Sequence, residues 1–134
     1  MSEFDWVKAR SECSIGVIFE QLKRDLQSDV DKNQALRPEP AGLPCFYGFR
    51  LAIANTGRAA AVIVEGTGIH DSVTFRLTDT AIEVVGNDGK LRFQATPTLN
   101  SKGECRLKIN GEEYEAWYLR KMALEDIFFH DYFR

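Results

Sequence analysis

Residues 72–118 read SVTFRLTDTAIEVVGNDGKLRFQATPTLNSKGECRLKINGEEYEAWY, and turn signals divide them into five short runs that alternate apolar and polar. This stretch decides the fold. A two-residue hairpin loop fixes which residues stand opposite each other, and opposite residues share a sheet face. With Asp79 and Thr80 as the first loop, Leu77 meets Ile82, Phe75 meets Val84, and Arg76 meets Glu83 on the other face. Asp88-Gly89, taken as a type I′ loop in which glycine supplies the positive φ, sets Val84 against Phe93 and Ile82 against Ala95. A three-residue loop there would set Val84 against Arg92, so the shorter loop is expected. Asn110-Gly111 is the strongest hairpin signal in the chain. It pairs Leu107 with Tyr114 and Cys105 with Ala116 on one face, and Lys108 with Glu113 and Arg106 with Glu115 on the other. One face is core and the other is wet. Pro97 cannot donate to a ladder, so the link over residues 96–103 is expected to start at a sheet edge.

Upstream, residues 46–55 alternate, and a turn at Thr56-Gly57 sets Ile53 against Ala60, Leu51 against Val62 and Phe49 against Val64. The strand over residues 59–65 is apolar on both faces, which predicts a central position or a helix over its second side. Residues 66–71 read as the loop that follows. Nearer the N-terminus, Ser2 and Asp5 have capping-box spacing ahead of Trp6 and Val7, predicting a short first turn or two. Ile15, Ile18, Phe19, Leu22, Leu26 and Val30 then recur at helical spacing, which predicts an amphipathic helix over residues 12–32. Gly16 costs about 1 kcal/mol against alanine inside a helix and points to a break near residues 13–16. Pro38, Pro40, Gly42 and Pro44 make residues 35–44 an extended connector. From residue 120 the period is helical again, through Ala123, Leu124, Ile127, Phe128 and Phe129 to an aromatic tail.

These elements predict an α+β fold, read as a single α+β domain over residues 1–134: a helical region 1–34, the connector 35–44, an antiparallel sheet 45–118 and a C-terminal helix and tail 119–134. The favoured architecture is a long N-terminal helix packed on a curved antiparallel sheet of about seven strands, as in helix-grip or cystatin-like folds, because the helix's long apolar stripe needs a large sheet face. The alternative is a PH-like barrel capped by the C-terminal helix. Residues 73–85, with Phe-Arg-Leu-Thr-Asp at 75–79, resemble the hairpin of bacterial PH-like sequences, a likeness too short to assign a family.

A chain of 134 residues with 44% apolar content can bury one core. A formal charge of −3 argues against a protein built to neutralise nucleic-acid phosphates. Cys13, Cys45 and Cys105 are odd in number, with no Cys-x-x-Cys pair, and read as reduced thiols in a cytoplasmic protein. The N-terminus has no signal-peptide pattern, and no apolar run reaches the roughly 18 residues that span a bilayer.

Chemistry is sparse. His70 with Asp71 could serve as a general base with a carboxylate partner, but neighbours in a strand point to opposite faces. His130-Asp131 is weaker, and two histidines without ligands at suitable spacing make no metal set, so neither metal nor cofactor is expected. The glycines at 57, 66 and 68 fit turns rather than phosphate loops. Three functions remain. The first is a non-catalytic protein-interaction module, with Ile127, Phe128, Phe129, Tyr132 and Phe133 as the interface of a homodimer or another protein complex. The second binds a small apolar ligand or lipid between helix and sheet, lined by Trp6, Phe49, Phe75, Phe93 and Tyr114. The third is a small enzyme using His70.

Overall fold

Asp5 caps the first helix, its Oδ1 accepting the Lys8 N–H at 3.0 Å, and α1 runs Trp6–Glu12. The computed structural model describes residues 3–36, 47–66 and 68–130; most of the expected connector, with Cys45, Asp131, Tyr132 and Phe133, lies outside them. The break expected at residues 13–16 is present, because α1 ends at Cys13 and α2 (Ile15–Ala35) starts beyond Ser14. The predicted stripe is the buried one: Phe19, Leu22, Leu26 and Val30 face inward while Glu20, Arg24 and Gln27 stay in water.

The described strands are β1 (Tyr47–Ile53), β2 (Ala59–Gly66), β3 (Ile69–Leu77), β4 (Ile82–Gly86), β5 (Leu91–Leu99), β6 (Cys105–Ile109) and β7 (Glu112–Tyr114). They form one curved, antiparallel sheet in sequence order. β1 and β7 are its two edges, so the sheet is open and the barrel alternative is not what forms. α3 (Ala116–Phe129) is the last described element.

Register follows the turns. Leu77 faces Ile82, Phe75 faces Val84 and Arg76 faces Glu83, with the Arg76 guanidinium 2.8 Å from the Glu83 carboxylate on the wet face. Ile53, Leu51 and Phe49 face Ala60, Val62 and Val64 as expected. Asn110 and Gly111 both take positive φ, 53° and 84°, as a type I′ turn requires, and Leu107 faces Tyr114.

The Asp88-Gly89 hairpin reaches the expected pairing by another route. Gly86 N–H donates to the Lys90 carbonyl, so the loop has three residues, with Gly89 at φ 79°. A bulge after Val84 then absorbs Arg92, and Val84 still faces Phe93. The extra residue is re-aimed, and Arg92 Nη1 donates to the Ala123 carbonyl of α3 at 3.3 Å. Sheet and helix are tied there by a residue that a regular ladder would have turned away.

Four further expectations are corrected. Pro97 lies inside β5, opposite Leu107, rather than in a link. It is tolerated because β5 pairs with β4 only up to Ala95 and with β6 from Thr96 onward. Counting by twos from the Asn100 N–H to Glu104 carbonyl bond, the Pro97 nitrogen faces the side that β4 has already left. β3 begins at Ile69, so His70 and Asp71 belong to a strand and not to a loop. β2 stands second in the sheet, and its outer residues Ala59, Ala61 and Ile63 are half-buried without a helix over them among the described residues. β7 ends at Tyr114, so the pairs Cys105–Ala116 and Arg106–Glu115 do not form; Arg106 meets Glu104 instead, at 2.8 Å.

The reduced-thiol expectation is also overturned: Cys13 and Cys105 form a disulfide between the α1–α2 junction and the start of β6, with Cα atoms 5.5 Å apart. Nothing local in the sequence couples two positions separated by 92.

Both long helices pack on the same sheet face. One cluster joins Phe19 and Leu26 of α2, Val62, Phe75 and Ile82 of the sheet, and Leu119, Ala123 and Ile127 of α3. Each large side chain fully buried there contributes roughly 1.5–3 kcal/mol. Polar ties set the position of α2: Gln34 Oε1 accepts the Phe49 N–H at 2.8 Å, and Lys23 Nζ donates to the Gly57 carbonyl at 3.1 Å.

Candidate functional site

α3 carries more apolar surface than the sheet can take. Leu119, Ala123, Leu124, Ile127 and Phe128 recur at helical spacing and are buried, yet Trp117 and Phe129 remain 50% and 66% exposed. Beside them, Leu36 at the end of α2 is 73% exposed. Between the C-terminal part of α2 and the outer side of α3 lies a cleft of about 400 Å³, with Leu36, Trp117, Leu124, Phe128 and Phe129 as its apolar lining.

The polar lining is mostly paired. Arg120 reaches from α3 to α2, its Nε 2.7 Å from Asp29 Oδ2 and its Nη1 3.3 Å from Asp25 Oδ2. At 17% exposure the guanidinium is largely withdrawn from water, so these contacts fix how the helices sit against each other. On the rim, Lys121 Nζ lies 2.7 Å from Glu125 one turn on and 5.6 Å from the Tyr118 ring centroid. Its hydrogen bond to Glu125 is the main reason that its pKa is raised. Trp117 is held as well, since its indole N–H donates to Glu115 at 2.9 Å and its ring meets Tyr118 edge-on at 5.4 Å. Tyr118 in turn stacks on Tyr114 at 4.7 Å. The Tyr114 hydroxyl donates to Glu112 at 2.6 Å, and that bond leads the causes raising the tyrosine pKa.

The five residues expected to line a helix–sheet pocket do not meet in one space. Trp6 is 63% exposed on α1, Phe75 is in the core at 0%, and Phe49 is buried edge-on against Phe128 with ring centroids 5.5 Å apart. Phe93 and Tyr114 are half-buried and pack against the core cluster. A slot of only about 100 Å³ opens between α2, α3 and β6, beside Leu22, Leu107 and Leu119. The expected interface set divides too. Ile127 and Phe128 are core at 2% and 7%, Phe129 is exposed, and Tyr132 and Phe133 are outside the described residues.

His70 is exposed on β3 opposite Glu65, while Asp71 stands opposite Val64 and accepts the Ser72 N–H at 2.8 Å. Strand alternation directs the two side chains to opposite faces, so they form no dyad. Among the described residues no three His, Cys, Asp or Glu side chains are grouped to hold a metal, and no helix is long and apolar enough to cross a membrane.

Sequence reasoning missed Leu36, Arg120, Lys121 and Glu125. The signal is present in the sequence: Trp117, Lys121, Glu125 and Phe129 are spaced by four, one ridge of a helix, and a sheet extending to residue 118 hides it.

Fold and cleft define an α+β domain in which two helices share one face of an open sheet and leave an amphipathic groove between them. No protein-family model matches this chain, and neither a curated protein nor a solved structure matches it.

Proposed function

We propose that the protein is a non-catalytic interaction module that self-associates through the exposed ridge of α3. One observation carries the reading. Trp117, Lys121, Glu125 and Phe129 are all exposed and spaced four apart, and they are symmetric about Ala123. Two such helices docked antiparallel, related by a two-fold axis that passes between the copies at the level of residue 123, set Trp117 of one copy against Phe129 of the other, and Lys121 against Glu125. Aromatic meets aromatic, and charge meets opposite charge, at both ends of the contact. An isologous interface of this kind is the commonest form of soluble oligomer, and interdigitated i, i+4 ridges are the commonest helix packing. The homodimer is thus argued from a different set of residues than the aromatic tail alone. The cytoplasmic expectation draws on reduced thiols as well as on the absence of a signal-peptide pattern; with Cys13 and Cys105 joined, the proposal carries no compartment with it.

Sedimentation at increasing concentration tests this. Wild type should be a dimer, Lys121→Glu should dissociate it by placing glutamates opposite each other, and the double variant Lys121→Glu/Glu125→Lys should restore it. A wild-type monomer at the highest soluble concentration, or a dimer indifferent to Lys121→Glu, refutes the proposal. A second reading, a small apolar ligand in the same cleft, is favoured by the cleft's volume of about 400 Å³, inside the roughly 300–1,000 Å³ range of ligand sites. It predicts a monomer that is stabilised by such a ligand.

A further inference from the structure

The disulfide joins unequal sulfurs. Cys13 is 1% exposed, whereas Cys105, at the start of β6, is exposed. Thiol–disulfide exchange proceeds by a thiolate approaching one sulfur, so access decides which sulfur is attacked. Here only Cys105 is open to approach.

The bridge also holds something that little else holds. α1 buries none of its seven residues, and its hydrogen bonds through Asp5, Lys8 and Ser11 are internal to the segment. Phe4, just before it, lies against Gly103 in the β5–β6 turn: a Cβ at that glycine would come within 2.6 Å of the phenyl ring. Among the described residues, the bridge itself is the other tie across to the sheet at this end. An isolated helix of this length is not stable in water, so α1 depends on being held. The main core, by contrast, includes neither cysteine.

The opened state is provided for as well. Cys13 Sγ lies 3.5 Å from the Thr98 carbonyl. A disulfide sulfur has no proton to donate, so in the bridged protein this is only a contact. A Cys13 thiol would have an acceptor already in place, and burying it would leave no polar group unmet.

We propose that Cys13–Cys105 is a reversible thiol–disulfide exchange site, attacked at Cys105 by a dithiol reductant, and that opening it releases α1 from the sheet. One thiolate of the dithiol bonds to Cys105 Sγ and the Cys105–Cys13 bond breaks, with the electron pair leaving on Cys13, which takes up a proton. The dithiol's second thiolate then attacks the dithiol sulfur of the mixed disulfide and expels Cys105 as a thiolate, which takes up the second proton. The protein gains two electrons and two protons, and the dithiol becomes a cyclic disulfide. Released, α1 carries Trp6 and Val7, exposed at 63% and 61%, away from the domain as an apolar arm.

Two measurements on the full chain test this. The bridged protein is treated with reduced glutathione, a monothiol, quenched with acid and mapped by peptide mass; the adduct is expected on Cys105, and the map keeps Cys45 apart. An adduct mainly on Cys13 overturns the proposal. Hydrogen exchange is then compared with and without dithiothreitol. Protection of residues 6–12 should fall by about tenfold or more while the amides of β3 and β4 keep theirs. Unchanged protection in α1, or loss of protection throughout the sheet, equally overturns it, the latter by showing that the bridge is a staple of the whole fold.

Discussion

α2 and α3 lie on the same face of the same sheet, yet they meet it differently. α2 has one main apolar stripe, buries Phe19, Leu22, Leu26 and Val30 with Ile15 and Ile18 half-buried at its start, and turns a charged back to water. α3 buries five residues and still presents Trp117 and Phe129 on its far side, at either end of a Lys121–Glu125 pair. A helix whose apolar residues match the sheet it covers is a structural element; one with apolar residues left over has made a surface that water disfavours. That excess is the reason for proposing the α3 side as the interface.

The comparison breaks most sharply within α3. Phe128→Ala should cost about 3–5 kcal/mol and Leu26→Ala in α2 about 2–5 kcal/mol, since both empty well-packed sites. Phe129→Ala, one residue away, should change stability by no more than about 0.5 kcal/mol while weakening self-association. Urea midpoints read the first effect and sedimentation the second. Equal midpoint losses at 128 and 129 would mean that the tail side of α3 is core rather than surface.

A middle-sized effect concerns the joint between the helices. Arg120→Ala leaves Asp25 and Asp29 facing each other one turn apart on α2 with their shared cation gone. Because the three side chains are partly hydrated, the expected cost is about 1–2 kcal/mol, below that of a fully buried pair. Lys121→Ala, on the exposed rim, should cost no more than a few tenths of that in urea denaturation.

The smallest effect is one of pH. The hydrogen bond to Glu112 favours the neutral phenol of Tyr114 in the folded chain, so the folded pKa lies above the ordinary tyrosine value of about 10. A raised folded pKa means that this contribution is whole below about pH 10 and is lost as pH climbs through the raised value. In Glu112→Gln the phenolate titration should move back down, read by ultraviolet absorbance against a Tyr114→Phe control; an unmoved titration would separate Tyr114 from Glu112.

Much of this fold could be read locally. The facing pairs at Asp79-Thr80, Thr56-Gly57 and Asn110-Gly111 follow from turn chemistry and period-two alternation, and helical spacing and Gly16 point to the stripe of α2 and the break before it. These are interactions among residues a few positions apart, where one chain segment has few alternatives. The hairpin at Asp88-Gly89 shows the limit. Opposing Val84 with Phe93 is required by burial, but the way it is reached, a three-residue loop followed by a bulge at Arg92, places that arginine against α3. The same is true where β7 gives way to α3. Alternation through Tyr114, Ala116 and Tyr118 fits a strand, and burying Leu119 against the core together with Ala123 and Ile127 needs a helix; packing decided it.

The sequence by itself determined the class of fold, the strand partners and the face that each strand buries, because these rest on local periodicity. Only the tertiary structure decided which distant residues become neighbours. Leu36 and Phe129 share a cleft, Arg120 spans two helices, and Cys13 reaches Cys105 across 92 positions. Those neighbours are set by how two helices divide one sheet face, a matter of volume and packing that no short window of the chain contains.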